Sequence, residues 1–243
     1  MPRPIRATIN LAALRDNYLL AQRRAAGARA WAVVKANAYG HGLLHAASAL
    51  SKAADGFALL DLADAVALRD AGARQPILLL EGVFEIADLP VCAEYGLTPV
   101  IHCVEQIQML RSVALPSRLP VYLKLNSGMN RLGITPAQLP AARYALKDSR
   151  SVGEVTLMTH FAEADGGRGI AEQYARFVQM STGWSCPASL ANSAALLRHP
   201  QTARDWARPG IMLYGGSPFA DESAASLGLR PVMTLESRII GVQ

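Results

Sequence analysis

The stretch Trp31-Ala-Val-Val-Lys35-Ala-Asn-Ala-Tyr39-Gly-His-Gly42 decides how the rest of the chain is read. A short apolar run rich in valine has the length and composition of a buried strand, and it ends in a lysine followed at once by small residues and glycines. The Gly40/Gly42 turn then leads into an Ala/Leu-rich helix. Lys35 is therefore expected at or near the carboxyl end of that strand. A lysine wrapped in apolar neighbours is pushed toward its neutral amine, which is a nucleophile and a base. The ordinary alternative is a lysine at a strand mouth that reaches back to water.

On the amino-terminal side, Ile5–Ile9 alternates, and Asn10 opens a helix from Leu11 to about Arg24, with Leu14, Tyr18 and Leu19 toward its apolar face. On the other side, eight short apolar runs follow: Trp31–Ala36, Gly56–Leu62, Pro76–Leu80, Leu97–His102, Pro120–Leu125, Val155–His160, Ala188–Asn192 and Ile211–Tyr214. Amphipathic stretches such as Ala63–Ala71, Glu105–Val113, Pro136–Ala145 and Ile170–Met180 lie between them. Strand alternating with helix implies βαβ units and a parallel sheet. Eight such units in 243 residues favour a closed (β/α)8 TIM-type barrel over a doubly wound sheet, and no GxGxxG follows the first strand. The segment Leu229–Gln243 is apolar and alternates in places, so it is expected to be the first strand of a β-rich C-terminal domain lying beyond the residues given. The expected division is a barrel over 1–228 and this strand over 229–243.

Composition narrows the classes. A chain with 51% hydrophobic and 18% charged residues can bury a sizeable core and is not disordered. No apolar run is long enough to cross a membrane, and the opening Met-Pro-Arg-Pro has no signal-peptide core, so a cytoplasmic protein is expected. The three cysteines are far apart and form no CxxC pair, which points to a reducing compartment and away from a disulfide framework or a zinc site. The net charge of +5 is scattered, so it reads as a solvated surface and not as a nucleic-acid-binding face. His41 and His45 lack the intervening glutamate of an HExxH metal site, and Gly166-Gly167-Arg-Gly169 lacks the Lys-Ser/Thr ending of a phosphate loop.

A barrel of this kind places its site at the carboxyl ends of the strands. The polar residues expected there are Lys35, Tyr39, Asp61, Lys124, Asn126 through Arg131, His160, Asn192, Ser193 and Arg208 through Ile211. Each has a plainer alternative: His160 a core histidine, Asn192-Ser193 a helix cap, Arg208-Pro-Gly210 a turn. Their shared position is the stronger argument. Barrels often bind phosphate with the loops after strands seven and eight, where Ser193 offers a hydroxyl and Gly210-Ile211 offer backbone N–H groups. A reactive lysine facing a phosphate cradle suits pyridoxal phosphate, which a lysine carries as a Schiff base.

The run from Ala32 to Gly42 resembles the cofactor-lysine signature of alanine racemases. The resemblance recurs at Leu123-Lys-Leu-Asn-Ser-Gly-Met-Asn-Arg131-Leu-Gly, Met158-Thr-His160-Phe, Ala191-Asn-Ser193 and Arg208-Pro-Gly-Ile-Met-Leu-Tyr-Gly, in the family's order along the whole chain. It implies a fold-type III pyridoxal phosphate barrel with a β-rich C-terminal domain, working as a head-to-tail homodimer that interconverts L- and D-alanine. It further implies that Lys35 carries the cofactor and is the base for one enantiomer. Tyr39, Asn192, Ser193, Gly210 and Ile211 would bind the cofactor, Arg208 would face its pyridine nitrogen with His160 in support, and Arg131 would hold the substrate carboxylate. Lys124 corresponds to a lysine often carbamylated in the family. The second base there is a tyrosine of the partner's C-terminal domain, beyond Gln243, so these 243 residues alone are expected to be largely inactive. Three rivals are a single-domain pyridoxal phosphate-binding protein of cofactor homeostasis, a fold-type III decarboxylase and a non-enzymatic barrel. The decarboxylase would set a carboxylate, not Arg208, at the pyridine nitrogen. Against the homeostasis protein stand the two glycine-rich signature runs and the strand-like tail.

Overall fold

The computed structural model describes residues 4–242. Met1–Arg3 and Gln243, which bear on the expectations for the two ends of the chain, lie outside the described residues. The strands are β1 Arg6–Ile9, β2 Arg29–Val33, β3 Gly56–Leu59, β4 Ile77–Leu79, β5 Leu97–Ile101, β6 Leu119–Lys124, β7 Val152–Met158, β8 Ala188–Ser189, β9 Trp206–Ala207 and β10 Met233–Glu236. Eight of them form one sheet in the order β8-β7-β6-β5-β4-β3-β2-β9, and every pairing in it is parallel. The seam between β8 and β9 is closed by Asp205 N donating to Ala188 O at 3.0 Å and Arg208 N to Ala191 O at 2.8 Å. Helices ring the outside, so the expected (β/α)8 barrel is what forms.

Alternation along the strands divides the core in two. Trp31, Val33, Ala58, Leu78, Val100, Tyr122, Met158 and Trp206 fill the barrel interior. The residues between them, such as Ala32, Phe57, Leu79 and Leu123, pack outward against the helices. The inward register continues past the apolar core: two residues beyond Val33 comes Lys35, beyond Tyr122 Lys124, beyond Met158 His160, and beyond Trp206 Arg208. The apolar plug and the polar site are thus consecutive layers of one interior. The indole of Trp31 reaches across the floor because position 56 is glycine; a Cβ there would lie 2.4 Å from the ring.

Two expectations are corrected. Ile211–Tyr214 is a 3-10 helix and not the eighth strand, which is the shorter Trp206–Ala207. Met212, Leu213 and Tyr214 are apolar because they are buried, and burial alone does not distinguish a strand from a turn. Pro209 and Gly210 (φ −117°, ψ −91°) end the strand before them. The helix expected from Pro136 starts instead at Leu139, since residues 135–138 form a turn held by Thr135 N donating to Gln138 Oε1 at 3.1 Å.

The expected helix Leu11–Arg24 is capped by Asn10, whose Oδ1 accepts from Ala13 N at 3.0 Å. Just before it, β1 leaves the barrel and pairs antiparallel with β10, Arg6 opposite Glu236 and Ile9 opposite Met233. The β10 residues are all exposed.

Candidate active site

The chain leaves β2 in an unusual way. Ala36, Asn37, Ala38 and Tyr39 all have positive φ, between 51° and 54°, so Lys35–Tyr39 forms a left-handed turn. Non-glycine residues take that conformation at a cost of about 1–2 kcal/mol each. Compensating bonds hold it: Ala38 N donates to Val34 O at 2.9 Å, Gly40 N to Ala36 O at 3.0 Å and Gly42 N to Asn37 O at 3.0 Å. The Asn37 side chain also caps the helix Leu43–Leu50, accepting from Leu43 N at 2.8 Å. The Tyr39 ring stacks on Tyr214 at 4.6 Å, and the Tyr214 hydroxyl donates to Val33 O at 2.9 Å. Strain of this kind is characteristic of places where side chains must be aimed. Here it aims Lys35 and Tyr39 into the same cavity.

That cavity, about 380 Å³, opens at the carboxyl ends of the strands. Lys35, Tyr39, Lys124, Arg131, His160, Asn192, Ser193, Arg208, Gly210 and Ile211 all line it, so the structure brings together the residues expected there from sequence. Asp61 is not among them; it is exposed ahead of the helix Leu62–Asp70. Asn126 serves its own loop, its Oδ1 accepting from Gly128 N and Asn130 N at 3.1 Å each, and so shapes the turn that carries Arg131.

The charge around the cavity is lopsided. Lys35, Lys124, Arg131 and Arg208 face Glu81 and Asp165. None of these four cations belongs to the ion pairs found among the described residues. Burial, reinforced by Arg208 and Arg131, lowers the Lys124 ammonium to about 8, with Glu81 opposing. Burial and then the charge of Arg208 push His160 down to about 3, so this histidine is neutral at pH 7. Burial lowers Arg208 to about 10, which leaves it cationic at neutral pH, and raises the Tyr39 phenol.

Hydrogen bonds fix most of the wall. The Ser193 hydroxyl accepts from Gly210 N at 2.9 Å and Met212 N at 3.4 Å, tying the end of β8 to the loop after β9. A Cβ at Gly210 would stand 2.5 Å from the Tyr39 hydroxyl, so the glycine is what lets Tyr39 approach this backbone. Asn192 is both helix cap and site residue: its Oδ1 accepts from Ala195 N at 2.9 Å, while Nδ2 donates to Phe161 O at 3.3 Å and lies 3.5 Å from His160 Nε2. The expected support of Arg208 by His160 is not a hydrogen bond. The guanidinium instead donates to Ser189 Oγ, Thr159 O and Leu190 O.

Sequence reasoning missed Glu81 and Ser189. Glu81 follows β4 as Asp61 follows β3, so the strand-end rule that selected Asp61 applies equally to it. Ser189 ends β8 but lies inside the apolar run Ala188–Asn192, and no sequence signal separates it from an ordinary core serine.

A closed parallel barrel with a lysine and uncompensated cations gathered at the carboxyl ends of its strands defines a class, the barrel enzymes that act on an anionic ligand through a strand-end lysine. The particular family follows from comparison. The family model "Alanine racemase, N-terminal domain" matches residues 9–218. The alanine racemase of Erwinia tasmaniensis is 53% identical over 244 residues, covering 100% of this chain and 68% of that protein. That of Nitrosospira multiformis is 54% identical over 246 residues, with 100% and 69% covered. The crystal structure of biosynthetic alanine racemase from Pseudomonas aeruginosa superposes with a TM-score of 0.92 at 45% identity, over 96% of this chain and 66% of that one. The chain belongs to the alanine racemase family and with it to the racemase class of enzymes; it spans about two thirds of the length of the relatives it matches.

Proposed function

We propose that this chain is the cofactor-binding barrel of a pyridoxal phosphate-dependent enzyme that interconverts L-alanine and D-alanine. The fit to the cofactor rests on the donor set. Tyr39 Oη, Ser193 Oγ and the Ile211 amide, which finds no acceptor among the described residues, stand at a wall where glycine leaves no side chain in the way. The excess of cations over carboxylates suits a ligand bearing a phosphate and a phenolate.

In this reading Tyr39, Asn192, Ser193, Gly210 and Ile211 hold the phosphate side of the cofactor, and Lys35 binds its aldehyde carbon. Arg208 faces the ring nitrogen as a donor; it remains charged at neutral pH, so it gives a hydrogen bond and yields no proton. His160, neutral beside it, adds no further charge. When bound, pyridoxal phosphate supplies the electron sink that makes the α-proton of alanine removable. Lys35 takes or returns that proton on one face of the substrate. Arg131 holds the substrate carboxylate. Lys124, whose amine is half neutral near pH 8, is open to carbamylation, which would replace a repelling cation by an anion beside Arg131.

Racemisation needs a second proton carrier on the opposite face. We assign it to a tyrosine of the partner subunit's C-terminal β-domain in a cytoplasmic homodimer, with residues 229–243 as the opening of that domain and 1–228 as the barrel. The exposed β10 supports the first part of this division, and its pairing with β1 outside the barrel joins Arg6–Ile9 to that domain as well. The 243 residues by themselves would then be largely inactive.

The observation that carries the proposal is the convergence of Lys35, Tyr39, Ser193, Arg208 and Gly210 on one cavity. It is tested with the full-length protein. Pyridoxal phosphate should give a visible absorbance that Lys35→Ala loses, and the loaded protein should convert L-alanine to D-alanine on chiral chromatography. Absorbance without conversion would leave a cofactor-binding protein and overturn the racemase reading.

A further inference from the structure

Arg208 is held by neutral oxygens alone. Its Nη1 donates to Ser189 Oγ at 2.7 Å, and its Nη2 donates to Thr159 O at 2.6 Å and Leu190 O at 3.1 Å. Two of these acceptors are main-chain carbonyls; Ser189 supplies the one side-chain acceptor. Ser189 is fully buried, and its hydroxyl hydrogen is committed to Trp206 O at 2.7 Å, which turns its lone pairs to the guanidinium. Ser189 lies on β8 and Trp206 on β9, so one hydroxyl joins the seam of the barrel to the buried cation two residues further along.

The open edge of the guanidinium can be located. Among the described residues every fully buried side-chain nitrogen or oxygen has a partner, yet Arg208 Nε has none. Nε is therefore the edge left accessible, and Arg208 lines the cavity. No ion pair among the described residues includes Arg208, so its charge is not cancelled by a carboxylate.

We infer that Ser189 is a positioning residue of the site: its hydroxyl sets the direction of the Arg208 guanidinium, leaving Nε and an uncancelled charge turned to the cavity. A carboxylate at position 189 would hold the same nitrogen but neutralise the charge; a methyl would do neither. The consequence for catalysis rests on the racemase reading, in which Arg208 meets the ring nitrogen, whereas the direction of the guanidinium does not.

The test compares full-length wild-type protein with Ser189→Ala, Ser189→Thr and Ser189→Asp. In crystals grown without added cofactor, the guanidinium should turn away from its wild-type direction in S189A and regain it in S189T. In spectral titrations with pyridoxal phosphate, S189A should bind about tenfold more weakly, the loss expected for one hydrogen bond to a charged group, with a shifted visible maximum that S189T restores; S189D, which keeps the bond but cancels the Arg208 charge, should also bind about tenfold more weakly. An unmoved guanidinium in S189A, with wild-type titration and only a lowered Tm, would make Ser189 a fastener of the β8–β9 seam and overturn the inference. Should the wild-type protein take up no pyridoxal phosphate, the functional reading falls, and the direction of the guanidinium in the crystals still decides the role of Ser189.

Discussion

The two ends of the barrel treat polar groups in opposite ways. At the amino-terminal end the Tyr18 hydroxyl donates to Ala30 O at 2.7 Å and accepts from Asp55 N at 2.9 Å. The Asp55 carboxylate accepts from Ala30 N at 2.9 Å and Gln22 Nε2 at 3.1 Å. Above that network Trp31 stacks on Trp206 at 4.1 Å and donates to the Tyr122 hydroxyl at 3.2 Å, and Arg29 covers Trp206 from outside at 4.1 Å. At the carboxyl end the same interior register presents Lys35, Lys124 and Arg208 without a carboxylate partner, beside a left-handed turn. One end is saturated with partners. The other is left with charges unpaired and backbone strained, which costs stability and is sustained because the first end is secure.

If that contrast is right, changes at the open end should damage ligand chemistry more than folding. The largest effect belongs to Lys35→Ala, which should abolish the cofactor's visible absorbance and lower racemisation by about a thousandfold or more, the scale of a lost proton carrier. Its Tm without cofactor should stay near that of the wild type. A Tm that collapses with Lys35→Ala would mean the lysine is structural and the contrast false. Gly210→Ala comes next. Its new methyl meets the Tyr39 hydroxyl, and the Tyr39 ring is pinned against Tyr214. Strain of this kind runs to about 1–3 kcal/mol. It should appear as roughly a tenfold or greater loss of pyridoxal phosphate affinity in a spectral titration.

Lys124 tests the cost of an unpaired charge directly through pH. Its folded value of about 8 lies below that of an unfolded lysine, 10.5, so between those values the unfolded chain binds more protons. Folding stability should therefore rise with pH across about 8 to 10.5, and the penalty from the buried ammonium is complete below about 8. Replacing it by Lys124→Met should stabilise the protein at pH 7, by at most about 3 kcal/mol since one pKa unit is worth about 1.4. The gain should fade toward pH 10.5 in urea denaturation curves. A gain that is absent at pH 7 but appears after carbon dioxide is stripped from the buffers would show that Lys124 is carbamylated.

Much of the open end was visible in the sequence because polar residues stand out at the ends of apolar runs: Lys35, Lys124 and His160 each lie at or near the end of one, while Arg208 lies just ahead of the run Ile211–Tyr214. The inward register makes the reason plain, since each lies two residues past a buried interior residue and so inherits its direction. What stayed hidden has a different origin. The left-handed turn over Ala36–Tyr39 carries no glycine until Gly40, and alanines give no sign of positive φ. The 3-10 helix Ile211–Tyr214 reads as a strand in sequence because its side chains from Met212 on are buried whichever backbone carries them. Ser189 enters the site through its distant partners Arg208 and Trp206, which spacing along the chain does not show, whereas Glu81 obeys the strand-end rule and was within reach of it.

The smallest predicted effect comes from the saturated end, and it sharpens the comparison most. Tyr18→Phe keeps the ring packed but removes the hydroxyl, leaving Asp55 N without its acceptor and Ala30 O without its side-chain donor. An unsatisfied buried backbone group costs about 1–3 kcal/mol, but the ring's own burial is unchanged, so the loss should fall toward the lower figure in urea denaturation. The carboxylate of Asp55 would still hold Ala30 N, which keeps the start of β2 in place. Because β2 is the strand that leads to Lys35, the two ends are mechanically joined, and a loosened start could in principle be felt at the site. The contrast requires that it is not: pyridoxal phosphate affinity and kcat should stay within about twofold of wild type. A Tyr18→Phe protein with normal stability and weakened cofactor binding would show instead that the amino-terminal network tunes the site through β2.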